Sequence, residues 1–229
     1  NLKLDCMKLR ADSIHKYYGK LPVLTGAYLS CEPGEVVGLV GRNACGKSTL
    51  LRVIMRLVPA ESAFVEIGDT YIKGAWQLPG RMAYLSQDSW LPDHLRIRKV
   101  IRLYCPKALR KSVMEHPWIQ PFLDRKCHQV SAGQLRLIEC LVVLNSKAPF
   151  LLLDEPFNGI APVQKEEIVK LIRHHALELG KGIVITDHDY RKVWQASTRL
   201  VVVKDRNTYT LKQKEDLQDF GYLPGSAWQ

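Results

Sequence analysis

The chain has 229 residues, 46% of them apolar and 24% charged, a balance that excludes a disordered chain and suits one domain, or one domain with a subdomain. No apolar run approaches the roughly 18 residues of a membrane span, and Asn1-Leu2-Lys3-Leu4-Asp5 is charged where a secretory signal is apolar, so neither is expected. A net charge of +10 admits an anionic membrane surface or a nucleic acid as partner, and charge alone does not choose between them.

The chain opens with short β-rich runs, Lys8 to Ile14 and Val23 to Cys31. Glu35-Val36-Val37-Gly38-Leu39-Val40 reads as a short buried strand. It runs into Gly41-Arg42-Asn43-Ala44-Cys45-Gly46-Lys47-Ser48, which fits the phosphate-loop pattern. Backbone N–H groups of such a loop cradle phosphate oxygens, Lys47 reaches the β- and γ-phosphates, and the Ser48 hydroxyl ligates Mg²⁺. Thr49 opens the apolar-faced remainder of a helix expected to reach about Leu57. The positive end of its dipole favours the same phosphates.

Ser62 to Ile67 and Thr70 to Ile72 read as short strands, and Arg81 to Leu85 as another, ending at Ser86-Gln87. From about Pro92 to His128 the pattern turns helical, broken by Pro106, Pro117 and Pro121, and the segment at about 88–130 suggests a small helical subdomain. This stretch holds a basic cluster, from Arg96 to Lys126, opposed only by Glu115 and Asp124. Such a cluster is either a solvated face or the seat of an anionic partner. Ser131 is a candidate N-cap for a helix to about Asn145. Phe150-Leu151-Leu152-Leu153 is a fully apolar strand ending in Asp154-Glu155. Carboxylates at the carboxyl end of a buried strand sit where open α/β sheets bind ligands. Asp154 suits the shell of Mg²⁺, and Glu155 the polarisation of an attacking water.

A helix from about Val163 to Leu179 should end at Gly180. Gly182 to Thr186 is a strand into Asp187-His188-Asp189, and Tyr190 to Ala196 a short helix. Leu200 to Val203 and Thr208 to Leu211 could pair as a hairpin across Asp205-Arg206-Asn207. The alternation of strands and helices argues a mainly parallel sheet with helices on both faces. None of the six cysteines falls in a C-x-x-C pair, so neither a zinc site nor a redox pair is expected, and scattered thiols suit a reducing cytosol.

The phosphate loop, Gln87, Ser131-Ala132-Gly133-Gln134, Asp154-Glu155-Pro156 and His188 occur in the order of the ATP-binding cassette family, which this chain resembles over nearly its whole length. The resemblance implies an α/β P-loop NTPase with a mainly parallel central sheet, an N-terminal antiparallel β subdomain and a small helical subdomain, together one ATPase domain over residues 1–229. It implies that Tyr18, or its neighbour Tyr17, stacks on the adenine, and that Gln87, a strand-end residue able to contact Mg²⁺ or water, marks the loop that senses nucleotide and touches a partner. It further implies that Ser131 to Gln134 complete the ATP site of a second copy of the chain, and that His188 clamps the γ-phosphate. The implied function is an ATP-hydrolysing transporter subunit. It would form a head-to-tail dimer and dock on separate transmembrane permease subunits at the cytoplasmic face of the inner membrane.

Asp154-Glu155-Pro156-Phe157, Ile185-Thr186-Asp187-His188 and Glu139 look like the branch of lipopolysaccharide-export and branched-chain amino-acid-import ATPases. Leu135, Leu137 and Val142 stand where that branch often has Arg. Three departures from the family pattern touch the site: Ala44 and Ala132 for Gly, and Ala161 for Asp. They point to slow hydrolysis, or to a weakly hydrolysing ATP-gated scaffold. The other reading is a soluble cassette ATPase acting on nucleic acid or ribosomes. A single cassette without long insertions argues against it.

Overall fold

A computed structural model describes residues 7–213 and 216–217. Two sheets form the frame. The first is antiparallel, in the order β2 (Leu21–Cys31), β1 (Leu9–Tyr18), β4 (Ser62–Ile67), β5 (Thr70–Tyr71). The second has six strands: β10 (Asn207–Thr210), β9 (Arg199–Lys204), β3 (Val36–Val40), β8 (Gly182–Thr186), β7 (Phe150–Asp154) and β6 (Met82–Leu85). All its pairings are parallel except that of β10 with β9.

Every residue of β3, β7 and β8 is buried. Such near-continuous apolar strands belong in a parallel sheet covered on both faces, and the two-residue period sorts their side chains into two cores. Val37, Leu39, Phe150, Leu152, Val184, Val201 and Val203 pack on one face, against α1 (Lys47–Ile54) and the antiparallel sheet. Val36, Val40, Leu151, Leu153, Ile183, Ile185 and Val202 pack on the other, with α4 (Ala132–Leu144), α5 (Pro162–Leu177) and α6 (Tyr190–Ala196). The helical segment shares this second core through Ile97, Val100 and Ile101 of α2 (Ile97–Tyr104) and Val113 of α3 (Arg110–Glu115).

Several boundaries move from their sequence expectations. The strand expected to end at Ile14 runs on to Tyr18, because β1 pairs with a neighbour on each side. A bulge with Ser13 at φ 52° absorbs the irregularity. Helix α1 stops at Ile54 rather than Leu57, closed by Arg56 at φ 54° and by a Leu57 N–H bond to the Arg52 carbonyl. Between residues 88 and 130 only α2 and α3 are α-helical. Short 3₁₀ turns at Gln120–Phe122 and Cys127–Gln129 fill the proline-broken remainder. The terminal hairpin turns on two residues, Asp205 and Arg206, at φ 50° and 66°, and Asn207 already belongs to β10.

Candidate functional site

The carboxyl ends of β3, β7 and β8 lie side by side, with Asp154 registered against Thr186. Parallel pairing therefore brings three distant segments to one edge: the loop after β3, Asp154-Glu155 after β7, and Asp187-His188 after β8.

The loop of residues 41–48 is held by glycine geometry and by Lys47. A methyl on Gly41 would sit 2.6 Å from Cys45 Sγ and 2.7 Å from the Val203 carbonyl oxygen, so only Gly fits. Gly46 adopts φ 107° and Ala44 φ 60°. The family's Gly at position 44 thus has a physical reason, and the alanine here carries strain of about 1 kcal/mol. The buried Lys47 ammonium donates to the carbonyls of Gly41 at 2.7 Å and Arg42 at 3.1 Å. The Tyr190 hydroxyl donates to the same Gly41 carbonyl at 2.9 Å. Burial pushes the Cys45 thiol up, against the pull of Lys47.

Asp154 lies fully buried beneath Ser48. The Ser48 hydroxyl donates to its Oδ1 at 3.0 Å and the Tyr84 hydroxyl to its Oδ2 at 2.9 Å. Burial raises the Asp154 carboxyl above its usual range, and these two hydrogen bonds oppose the rise. Glu155 turns out of the strand at φ 54°, its N–H bonded to the Thr186 carbonyl at 2.7 Å. That turn carries its carboxylate Oε1 to within 2.7 Å of His188 Nε2. The histidine side chain is half exposed at the mouth of the site.

One cavity of about 480 Å³ is lined by Tyr18, residues 43–49, Gln87, Glu155 and His188. The residues expected from five separate stretches of sequence thus meet around one hollow. Tyr18 rather than Tyr17 faces it, with the Lys16 ammonium 4.6 Å from the Tyr18 ring centroid. Gly41 and Arg42 build the loop from behind without lining the hollow, and Asp154 is reached through Ser48.

Ser131 to Gln134 stand apart from this cavity. Ser131 caps α4 as expected: its hydroxyl accepts from the Gln134 N–H at 3.3 Å, and the Gln134 side chain accepts from the Ser131 N–H at 2.9 Å. Gly133 packs against the Gly159 carbonyl so closely that a methyl there would collide with it. The helix start and the loop after Glu155 are therefore one packed unit.

Three supports escaped the sequence reading. Arg136 is buried, and its guanidinium donates to the carbonyls of Asp154, Glu155 (3.0 Å) and Ser86 (2.6 Å) and to the Glu139 carboxylate (3.3 Å). Glu139 in turn accepts from the Ser89 hydroxyl at 2.6 Å and the Trp90 N–H at 3.1 Å. This buried pair ties the backbone of Glu155 to the loop carrying Gln87. Its signal was an i, i+3 pair of opposite charges in the otherwise apolar run from Leu135 to Leu144. Asp187 accepts from the Phe157 and Asp189 N–H groups, both at 2.9 Å, joining the loops after β7 and β8. Burial raises its carboxyl. Tyr84, the Asp154 partner, gave no signal beyond an ordinary strand aromatic.

A profile of the ABC transporter family matches residues 24–158. The lipopolysaccharide export system ATP-binding protein LptB of Escherichia coli K12 is 29% identical over 208 residues, covering 85% of this chain and 86% of that protein. The carnitine transport ATP-binding protein OpuCA of Listeria monocytogenes is 29% identical over 204 residues, covering 82% of this chain and 51% of that protein. The chain thus spans about half the length of its carnitine-transport relatives. A solved ATP-binding subunit of an ABC transporter superposes with a TM-score of 0.81 at 20% identity, with 93% of each chain covered. A dimeric bacterial ABC transporter cassette superposes with a TM-score of 0.78 at 20% identity, covering 90% of this chain and 99% of that one. At these identities the superpositions speak for the fold.

Proposed function

The chain belongs to the ABC transporter family, and on that premise we propose that it is the ATP-binding, ATP-hydrolysing subunit of a membrane transporter. The observation that carries the reading is the single cavity joining Tyr18, the phosphate loop, Gln87, Glu155 and His188. Tyr18 offers the adenine a flat, half-exposed ring. Backbone N–H groups of residues 43–48 and the Lys47 ammonium receive the phosphates, and Thr49 continues the helix start behind them.

The Ser48 hydroxyl and Asp154 carboxylate, 3.0 Å apart, form a hard oxygen set that fits Mg²⁺. They are few, as suits an ion that keeps waters and substrate phosphates among its ligands, and Gln87 stands across the hollow from them. When bound, the ion would neutralise charge on the β- and γ-phosphates. Glu155 is the group placed to orient and deprotonate water, and its 2.7 Å contact holds His188 beside it. Arg136 and Asp187 fix the backbone on either side of that carboxylate.

Ser131 to Gln134 are assigned to the site of a second copy, in a head-to-tail dimer closed by ATP. Separate permease subunits would dock in the groove between the helical subdomain and the Gln87 loop. Among the described residues no helix is long and apolar enough to cross a membrane. We therefore assign the chain to the cytoplasmic face of the membrane that holds the permease. The LptB likeness supports a lipopolysaccharide-export-like transporter as one form of this reading.

The test is Mg²⁺-dependent release of phosphate from ATP by the wild-type chain and by Glu155→Gln. Turnover in the wild type, cut roughly a hundredfold or more in the variant with ATP still bound, is expected. Equal rates would remove Glu155 from the reaction.

A further inference from the structure

Outside the nucleotide site, the helical subdomain carries a second, open hollow of about 450 Å³. Arg98 and Arg102 from α2, Lys107 from the connection, and Arg110 and Lys111 from α3 line it, with Glu115 as the one acid on its wall. Neutralisation is partial. Arg98 pairs with Asp124 at 3.2 Å, and Lys111 with Glu115 at 3.8 Å between two exposed side chains. The Arg110 Nε donates to the Cys105 carbonyl at 3.1 Å, which holds its guanidinium in place. Among the described residues, Arg102 and Lys107 have no acidic side chain within ion-pair distance. Cations that merely solvate a helix face diverge into water. These converge from three segments on one concave surface, where low-dielectric walls concentrate positive potential.

We propose that this hollow binds the phosphate headgroup of an anionic phospholipid. A nucleic-acid strand needs a track of cations following successive phosphates, whereas this is one hollow of headgroup size. The neighbourhood selects lipid over a soluble phosphate. Lys107 and Arg110 also line an adjoining cleft of about 590 Å³, beside Leu103 and Tyr104, which are 54% and 43% exposed. Cations bordering exposed apolar side chains match the boundary between headgroups and acyl chains. The presence of a membrane beside this hollow rests on the transporter reading. Binding to a bare bilayer needs neither permease nor hydrolysis, so it can fail or succeed separately from ATP turnover.

The experiment is co-sedimentation of the chain with phosphatidylglycerol-containing phosphatidylcholine vesicles and with pure phosphatidylcholine vesicles. The proteins compared are wild type, Arg102→Glu/Lys107→Glu, and Lys73→Glu/Lys170→Glu, which makes the same charge change elsewhere. Arg102 and Lys107 are chosen because the fold does not depend on a partner for either. Unchanged thermal unfolding and ATP binding would certify each variant. The expected result is wild-type binding to the anionic vesicles alone, weakened by added salt. It should fall roughly tenfold or more in Arg102→Glu/Lys107→Glu and stay within about twofold in the control pair. An equal loss in both variants would reduce the pocket to general charge attraction and overturn the proposal. So would the absence of vesicle binding, or a substitution that abolishes binding to duplex DNA while leaving vesicle binding intact.

Discussion

At the carboxyl edge of the six-stranded sheet, each chemical side chain is fixed by hydrogen-bonded neighbours. Asp154 has Ser48 and Tyr84, Glu155 has His188 and a strained backbone turn, and Arg136 is bonded to three carbonyls and a carboxylate. In the helical subdomain, two short helices carry exposed cations whose ion pairs are largely solvated. The same kinds of charged residue therefore play different parts. At the sheet edge they hold a geometry in place. On the helices they form a surface for something outside the chain.

The sharpest way to break this comparison is to remove a charge from each region. Arg136→Leu leaves the Glu139 carboxylate and the Asp154, Glu155 and Ser86 carbonyls without their donor. It is expected to lower unfolding free energy by about 3–5 kcal/mol. Lys111→Ala loses only a 3.8 Å pair between exposed side chains and should cost less than about 0.5 kcal/mol. Urea unfolding of both variants checks the contrast, and similar losses would dissolve it.

A second, somewhat smaller effect lies where the helical subdomain packs on α5. His175 of α5 is buried with its Nδ1 unpartnered, facing a hollow shared with Val113 and Ile119 of the helical subdomain. Burial, helped by Lys181 and His174, pushes its imidazole down to about 4. The unfolded chain takes up this proton near its ordinary value of about 6.5 while the folded chain does not, so stability falls as pH drops from about 6.5 to 4. The loss is on the order of 3 kcal/mol. His175→Phe should flatten that part of the stability profile, as followed by denaturant midpoints across the window. A profile that keeps its full slope would place the titration elsewhere.

The smallest effect belongs to the phosphate loop. Ala44→Gly removes the strain of φ 60° at the cost of extra chain entropy. The net gain should be under about 1 kcal/mol, read as a small rise in unfolding temperature and in ATP affinity. A fall in both would mean that the methyl makes contacts the loop needs.

Much of the sheet edge was legible in sequence because its chemistry is local. Gly41 to Ser48 is one contiguous loop, and Asp154-Glu155 follows an apolar run that can only be a buried strand. Strand ends in a parallel sheet share one edge, so the convergence of Gln87, Glu155 and His188 followed from topology. Arg136, Asp187 and Tyr84 were missed because their roles lie in bonds to partners far along the chain, such as Arg136 with Ser86 and Tyr84 with Asp154. The basic hollow was visible only as a run of cations. Which of them pair and which stay open depends on how α2 and α3 fold against each other: Arg98 meets Asp124, while Arg102 and Lys107 meet no acid among the described residues.

The most direct test of the nucleotide-site assignment is sedimentation of Glu155→Gln with and without MgATP. With hydrolysis blocked, ATP should convert the variant from monomer to dimer, and Ala132→Arg in the same chain, at an exposed position of the Ser131 to Gln134 stretch, should abolish that conversion while ATP still binds. A variant that binds ATP and stays monomeric at every protein concentration would contradict the assignment of Ser131 to Gln134 to a partner's site, and with it the two-copy ATPase.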